Sequence, residues 1–345
     1  MMKPLELGLD TFGDVTRDPS GAELPHAQVL RNLVEQAALA DELGVDFIGV
    51  GEHHRADFAV SAPEVLLAAI ASRTQRIRLG SAVTVLSSDD PIRVYQRFST
   101  LDAVSNGRAE VIVGRGSFTE SFPLFGFDLA AYEELFEEKL DLFVALLRQE
   151  KVNWSGRLRP PLVDQRVFPR PQGGTIKTWI GVGGSPESVV RAARHQLPMM
   201  LAIIGGEPMR FKPYADLYHR ACAQLGVETP EIGVHSPGYV AASDEAARDE
   251  FFADYKAMRD RIGAERGWPP MRRDEYEREI AQGSLYVGSP ETVARKIAAT
   301  ARGLGLSRFD LKYSAGGLAH ARMMSCIALY AREVTPRVRA MLASG

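Results

Sequence analysis

The sequence predicts a single (β/α)8 barrel of the α/β class, with insertions, and three observations lead there. Eight short apolar, β-branched runs recur along the chain, each followed by a longer segment with helical periodicity. Near-continuous apolar strands joined by helices build a parallel sheet that is covered on both faces. The 345 residues also exceed the roughly 250 that eight such units need.

The expected strands are 5–12, 45–50, 77–86, 109–113, 178–182, 198–204, 231–241 and 307–313. The first helix spans about 26–43 and stops at Gly44, a residue suited to ending a helix. The second begins near Ala62, with Pro63 in the first turn, where its missing N–H costs nothing. Segment 132–148 places Leu135, Phe136, Lys139, Leu140, Phe143, Leu146 and Leu147 largely along one helical stripe. The surplus falls in two segments. Residues 150–176 are rich in Pro, Gly and Arg and carry no helical pattern. Residues 261–283 hold Trp268–Pro269–Pro270 and a dense charge run, and read as a mobile excursion after the seventh helix. Neither resembles a linker, so residues 1–345 are expected to form one domain with two insertions.

Composition excludes several classes. With 45% hydrophobic and 25% charged residues and a net charge of −3, the chain reads as an ordinary soluble globular protein. No basic face or stripe points to nucleic acid. No apolar stretch approaches the roughly 20 residues of a membrane span. The start, MMKPLELGLD, shows no signal-peptide pattern. Cys222 and Cys326, far apart, are neither a disulfide framework nor a cysteine zinc site, and a cytoplasmic location is expected.

Three stretches could carry chemistry. The first is Gly51–Glu52–His53–His54–Arg55, directly after the second strand. Active sites in such barrels lie at the C-terminal strand ends. Adjacent metal ligands are awkward here, because successive strand side chains point to opposite faces. The other histidines (His26, His195, His219, His235, His320) show no ligand spacing. No metal is expected. One histidine is expected to bond or exchange a proton in the pocket, with Glu52 fixing the loop; a merely packed His pair is the alternative.

The second is a repeated motif: Gly184–Ser185–Pro186–Glu187–Ser188–Val189 recurs as Gly288–Ser289–Pro290–Glu291–Thr292–Val293. Both copies read as helix starts with Ser at the cap, Pro in the first turn and Glu at the positive end of the macrodipole. Such an end can receive a phosphate. Gly181, Gly183 and Gly184 favour the first copy. The general preference of barrels for a phosphate near strands 7 and 8 favours the second. The residues alone leave this open. The third stretch is Gly114–Arg115–Gly116 at the end of the fourth strand, where Arg115 could meet a ligand. It is not a dinucleotide-binding fingerprint, because the glycine spacing is wrong.

Taken together, these residues resemble the bacterial luciferase-like, flavin-dependent monooxygenase family. The strongest block runs over 81–129, with Pro91, Leu101–Asp102, Ser105–Asn106–Gly107–Arg108, Arg115–Gly116 and Phe125–Gly126 in order. Glu52–His53–His54 is similar to the family's acidic-His-His element, and Leu197–Pro198–Met199 continues the match. The resemblance implies a barrel that binds FMN at its C-terminal face, usually as a dimer. It places the flavin phosphate at Gly184, Ser185 and Ser188 with Arg115 nearby, which makes the second repeat structural. It also implies a cis peptide at Ala82–Val83 beneath the flavin ring, and an active-site role for His53. Reduced FMN from a separate flavin reductase, together with O2, would then oxygenate a small organic substrate. The segment 261–283 is shorter than the luciferase mobile loop and differs from it, so light emission from a long-chain aldehyde is not implied. Deazaflavin-dependent hydride transfer and non-catalytic flavin binding are the alternatives within this resemblance; a metal-dependent barrel hydrolase is the one outside it. Phe12, Phe58, Phe118 and Met200 suggest an apolar cavity.

Overall fold

A computed structural model describes residues 4–343. Its framework is eight strands: β1 (Glu6–Thr11), β2 (Phe47–Val50), β3 (Arg78–Ser81), β4 (Ala109–Gly114), β5 (Lys177–Val182), β6 (Met199–Ala202), β7 (Ile232–Val240) and β8 (Arg308–Lys312). Each pairs in parallel with its successor, and β8 returns to β1 with Arg308 opposite Glu6 and Lys312 opposite Asp10. The result is the closed eight-stranded barrel that the alternation predicted. Around it run α1 (His26–Glu42), α2 (Pro63–Ala71), α3 (Pro91–Val104), α4 (Tyr132–Arg148), α5 (Pro186–Arg194), α6 (Lys212–Leu225), α7 (Asp244–Arg266), α8 (Arg273–Ala281) and α9 (Pro290–Leu304).

Strand alternation divides the core in two. Leu7, Leu9, Ile48, Val50, Leu79, Val111, Val113, Ile180, Val182, Leu201, Val234, Phe309 and Leu311 are buried in the main apolar cluster, which joins the barrel wall to the helices. The alternate positions fill the interior. Near the strand starts, the fully buried Arg308 donates to both carboxylate oxygens of Glu110, at 2.8 and 3.0 Å, and through Nε to Glu6 at 2.7 Å. Trp179 Nε1 and Arg78 also donate to Glu110. Above this charged plug sits a separate apolar cluster of Phe47, Ile112, Trp179 and Met200. Met200 therefore belongs to the barrel core and not to a substrate cavity.

The third expected strand, 77–86, is interrupted. β3 ends at Ser81, the Ala82–Val83 peptide is cis, and pairing with β4 resumes over Thr84–Val85. The cis bond lies where the family resemblance indicated it.

Residues 150–176 contain an antiparallel ribbon, Val152–Trp154 with Leu162–Gln165. Residues 261–283 differ from the expected excursion. α7 runs on through Arg266 and ends at Gly267, whose φ of +71° is left-handed, and α8 follows. The charge run that suggested a solvated loop is helix-compatible: Arg273 within it pairs with Glu277 at helical spacing, as Lys256 does with Asp260 just before it. α7 thereby carries its far end to the barrel mouth. There Glu265 pairs with Arg55, and Arg266 lies over the Phe118 ring at 5.0 Å and donates to Ser117 O at 3.2 Å.

Candidate active site

The floor of the mouth is made from Ala82 and Val83, and glycines make room for it. A Cβ on Gly114 would come within 2.9 Å of the Val83 side chain, and one on Gly181 within 3.3 Å. A Cβ on Gly51 would meet Ala82 O at 2.7 Å. Three strands thus end in residues without side chains around one small apolar step. Ala82 and Val83, both half-buried, form the floor of a recess at the C-terminal end of the barrel.

His53 borders this recess in an aromatic cage. Its ring lies 4.4 Å from that of Phe58 (stacked), 4.7 Å from Phe12 and 4.9 Å from Phe118 (both edge-on). Burial is the main reason that its pKa falls from 6.5 to about 3; Lys312 and Arg55 push the same way, and Asp14 opposes them. His53 is therefore a neutral imidazole at ordinary pH. His54 faces other neighbours: its Nε2 bonds Glu52 Oε1 at 2.8 Å, and Phe125 lies edge-on at 4.9 Å. The other Glu52 oxygen accepts from Val85 N at 2.9 Å, so Glu52 ties the loop after β2 to the segment beyond the cis bond.

The cage carries a pH-dependent cost. The unfolded chain protonates His53 near 6.5 and the folded protein only near 3, so stability is full above the first value and falls as the pH drops between them. The loss from this ring between pH 7 and pH 4 is about 3 kcal/mol. His53→Phe should remove about that much from the acid-induced loss of unfolding free energy, measured by urea titration at the two pH values. Equal losses in both proteins would contradict the cage.

The two copies of the repeated motif have different surroundings. In each, the serine caps its helix: Ser185 Oγ accepts from Ser188 N at 3.3 Å and Ser289 Oγ from Thr292 N at 3.4 Å. At the second copy a carboxylate already fills the helix end. Ser289 N donates to Asp244 Oδ1 at 2.7 Å, and Thr292 Oγ1 to Asp244 Oδ2 at 3.0 Å. At the first copy the N–H groups of Gly184 and Ser185 meet no acceptor among the described residues. A Cβ on Gly183 would enter open space. Ser185 and Ser188 hydroxyls lie 2.9 Å apart, and Arg115 (3.3 Å) and Arg191 (3.2 Å) both donate to Ser188 Oγ. Glu133, an exposed carboxylate on α4, spans the two guanidiniums. This opening has the chemistry of an anion site: free N–H groups at a positive helix end, two hydroxyls and two arginines. Gly184, Ser185, Ser188 and Arg115 are thus brought together, while Ala82, Val83 and His53 form the neighbouring recess.

Some members were not singled out in the sequence. Arg191 is one, although it stands one helical turn beyond Ser188. Tyr132 is another; its hydroxyl donates to Gly116 O at 2.5 Å and its ring lies under Arg115. The interior positions of β1, β7 and β8 also carry polar side chains. Asp10 accepts from His235 Nδ1 at 2.5 Å, and Lys312 donates to Asp14 at 3.1 and 3.3 Å. Their signal was available, since charged residues interrupt otherwise apolar strands at the parity that faces inward.

Comparison with known proteins makes the chain an oxidoreductase. The chain belongs to the luciferase-like monooxygenase family, whose model matches residues 11–308. It is 28% identical over 349 residues to 4-hydroxyprotoasukamycin monooxygenase of Streptomyces nodosus subsp. asukaensis, covering 93% of this chain and 90% of that protein. Against other curated relatives the match spans between 44% and 65% of their length. Protein y4vJ of Sinorhizobium fredii is 34% identical over 49% of this chain and 48% of its own. An F420-dependent glucose-6-phosphate dehydrogenase of Amycolatopsis mediterranei is 31% identical over 45% and 48%. Among solved structures, the monooxygenase RslO1 from Streptomyces bottropensis superposes with a TM-score of 0.83 at 23% identity, over 96% of this chain and 99% of that one. The oxygenating constituent of 3,6-diketocamphane monooxygenase of Pseudomonas putida, in complex with FMN, gives 0.78 at 19% identity, over 97% and 99%. Both structures share the fold. No helix among the described residues is long and apolar enough to cross a membrane.

Proposed function

We propose that this chain uses reduced FMN and O2 to insert one oxygen atom into a small organic substrate. The observation that carries the reading is the open helix end at Gly184–Ser185, set beside an apolar recess. It fits a phosphate joined to a planar ring, whereas the equivalent end at Ser289 is filled by Asp244. Gly184, Ser185, Ser188 and Arg115 would hold the phosphate, with Arg191 supporting Ser188 and Glu133 turning aside. Ala82 and Val83 would support the ring. When bound, the reduced flavin supplies the electrons by which one atom of O2 enters the substrate and the other leaves as water.

The protein contributes position, electrostatics and exclusion of water. His53, neutral in its cage, offers a hydrogen bond at the recess without adding charge. The end of α7, latched to Arg55 and Phe118, covers the mouth. A separate flavin reductase would supply reduced FMN, in keeping with the lack of a dinucleotide-binding glycine pattern in the sequence. The working form would be a cytoplasmic homodimer.

The test is reconstitution with FMN, an FMN reductase and NADH under 18O2 across a substrate panel. One 18O atom should enter the product for each reduced flavin consumed. Oxygen-independent hydride transfer from a reduced deazaflavin, with no FMN binding, would overturn the reading.

A further inference from the structure

Asp10 and His235 stand 225 residues apart in the chain, yet the barrel sets them side by side at the mouth. Asp10 is 1% exposed and lies on an inward position of β1. Its Oδ2 meets His235 Nδ1 at 2.5 Å, while Oδ1 is buried without a partner. A carboxylate only accepts, so Nδ1 of His235 carries the hydrogen and the lone pair is left on Nε2. Nε2 has no protein partner among the described residues and is not fully buried, and the ring that bears it stacks on Phe12 beside His53.

Phe12 joins this pair to the rest of the site. One contact stacks its ring on His235, 5.9 Å away with planes 21° apart, and another sets it against His53 at 4.7 Å. The two histidines therefore flank the same phenyl ring in different settings. His53 is caged by apolar rings. His235 is held by a carboxylate, an arrangement that fixes the orientation of an imidazole. The other charged groups near the pair are accounted for. Asp310, opposite His235 on β8, has its pKa raised well above the ordinary carboxyl value by burial. Lys312, opposite Asp10, is engaged with Asp14 and with Ser314. Asp10 is thus the carboxylate available to His235.

We propose that His235 is the proton-transfer residue of this site and that Asp10 is its positioning residue. Resting on the oxygenase reading above, the step is removal of a proton from a substrate hydroxyl or acidic C–H. That bond breaks, its electron pair stays on the substrate, and an N–H bond forms at Nε2; the proton later passes to water. His53 has no part in this transfer. The site would therefore take substrates that carry an ionisable proton at the position oxygenated or next to it.

The pair can be tested first without cofactor, using diethylpyrocarbonate, which acylates accessible imidazole nitrogens, with modification read at each histidine by peptide mass spectrometry. In the folded protein His235 should react at least tenfold faster than His53 or His54, and Asp10→Asn should slow His235 at least fivefold. An unreactive His235, or one whose rate ignores Asp10→Asn, would overturn the proposal. Saturating FMN should protect His235; lack of protection with the other results intact would count against the flavin reading and not against the pair. In the reconstituted assay His235→Gln should lower kcat at least tenfold with FMN affinity unchanged. A change in KM alone would make His235 a packing residue and overturn its role.

Discussion

Ser185→Asp should lower the affinity for FMN at least a hundredfold and should leave the fold intact. Aspartate is as good a helix cap as serine, so α5 still forms. Its carboxylate, however, would occupy the opening between the helix end, Ser188 and Arg115, as Asp244 does at Ser289. A phosphate then meets a fixed negative charge where it had two hydroxyls and a positive helix end, and a hundredfold loss is about 2.7 kcal/mol. Titration followed by flavin fluorescence measures it. The control is Asp244→Ala, which strips the acceptor from Ser289 N and Thr292 Oγ1. It should reduce unfolding free energy by about 2 kcal/mol and leave FMN affinity within twofold. An FMN affinity that survives Ser185→Asp, or falls in Asp244→Ala, would move the phosphate away from the first copy.

Glu110→Gln should cost more in stability than any change at the mouth. Glu110 is fully buried and is the common acceptor for Arg308, Arg78 and Trp179. Burial alone would raise its pKa, but Arg308 above all, with Arg78 and Lys177, holds it down at about 2. Neutralising it leaves the guanidinium of Arg308 in the barrel with only Glu6 as a charged partner, and removing one member of a buried pair typically costs about 3–5 kcal/mol. Chemical unfolding should show a loss of that order, with FMN affinity unchanged because the plug lies at the opposite end of the barrel. The double variant Glu110→Gln/Arg308→Met should be less destabilised than Glu110→Gln alone, since no unpaired charge is left behind. A double variant that is worse would mean that shape complementarity, and not charge desolvation, dominates this layer.

Much of the framework could be read directly. Six of the eight barrel strands lie within the segments expected for them, the other two (Ala109–Gly114 and Lys177–Val182) overrun theirs by one residue, and α4 spans the residues whose apolar spacing predicted it. Strand alternation, helical stripes, and the glycine, serine and proline signals at helix ends act over a few residues, so they survive in the sequence. The reading failed where a local signal has two meanings. The charge run over 261–283 suits a solvated loop or an exposed helix equally well, and contacts of α7 with Arg55 and Phe118 select the helix. Met200 suits a cavity or a core, and the cluster with Phe47, Ile112 and Trp179 selects the core.

By itself, then, the sequence determined the order of strands and helices, the caps, the loop bearing His53 and the existence of two equivalent serine-capped helix ends. Only the tertiary structure distinguishes those ends, because Asp244, 45 residues before Ser289, comes to fill the second, while the N–H groups of Gly184 and Ser185 at the first meet no acceptor among the described residues. The same is true of Asp10 and His235, whose pairing depends on closing β8 against β1 and β7. Periodicity and capping are properties of neighbours along the chain. A site at a barrel mouth is made by residues that only closure brings together, and closure leaves no local trace.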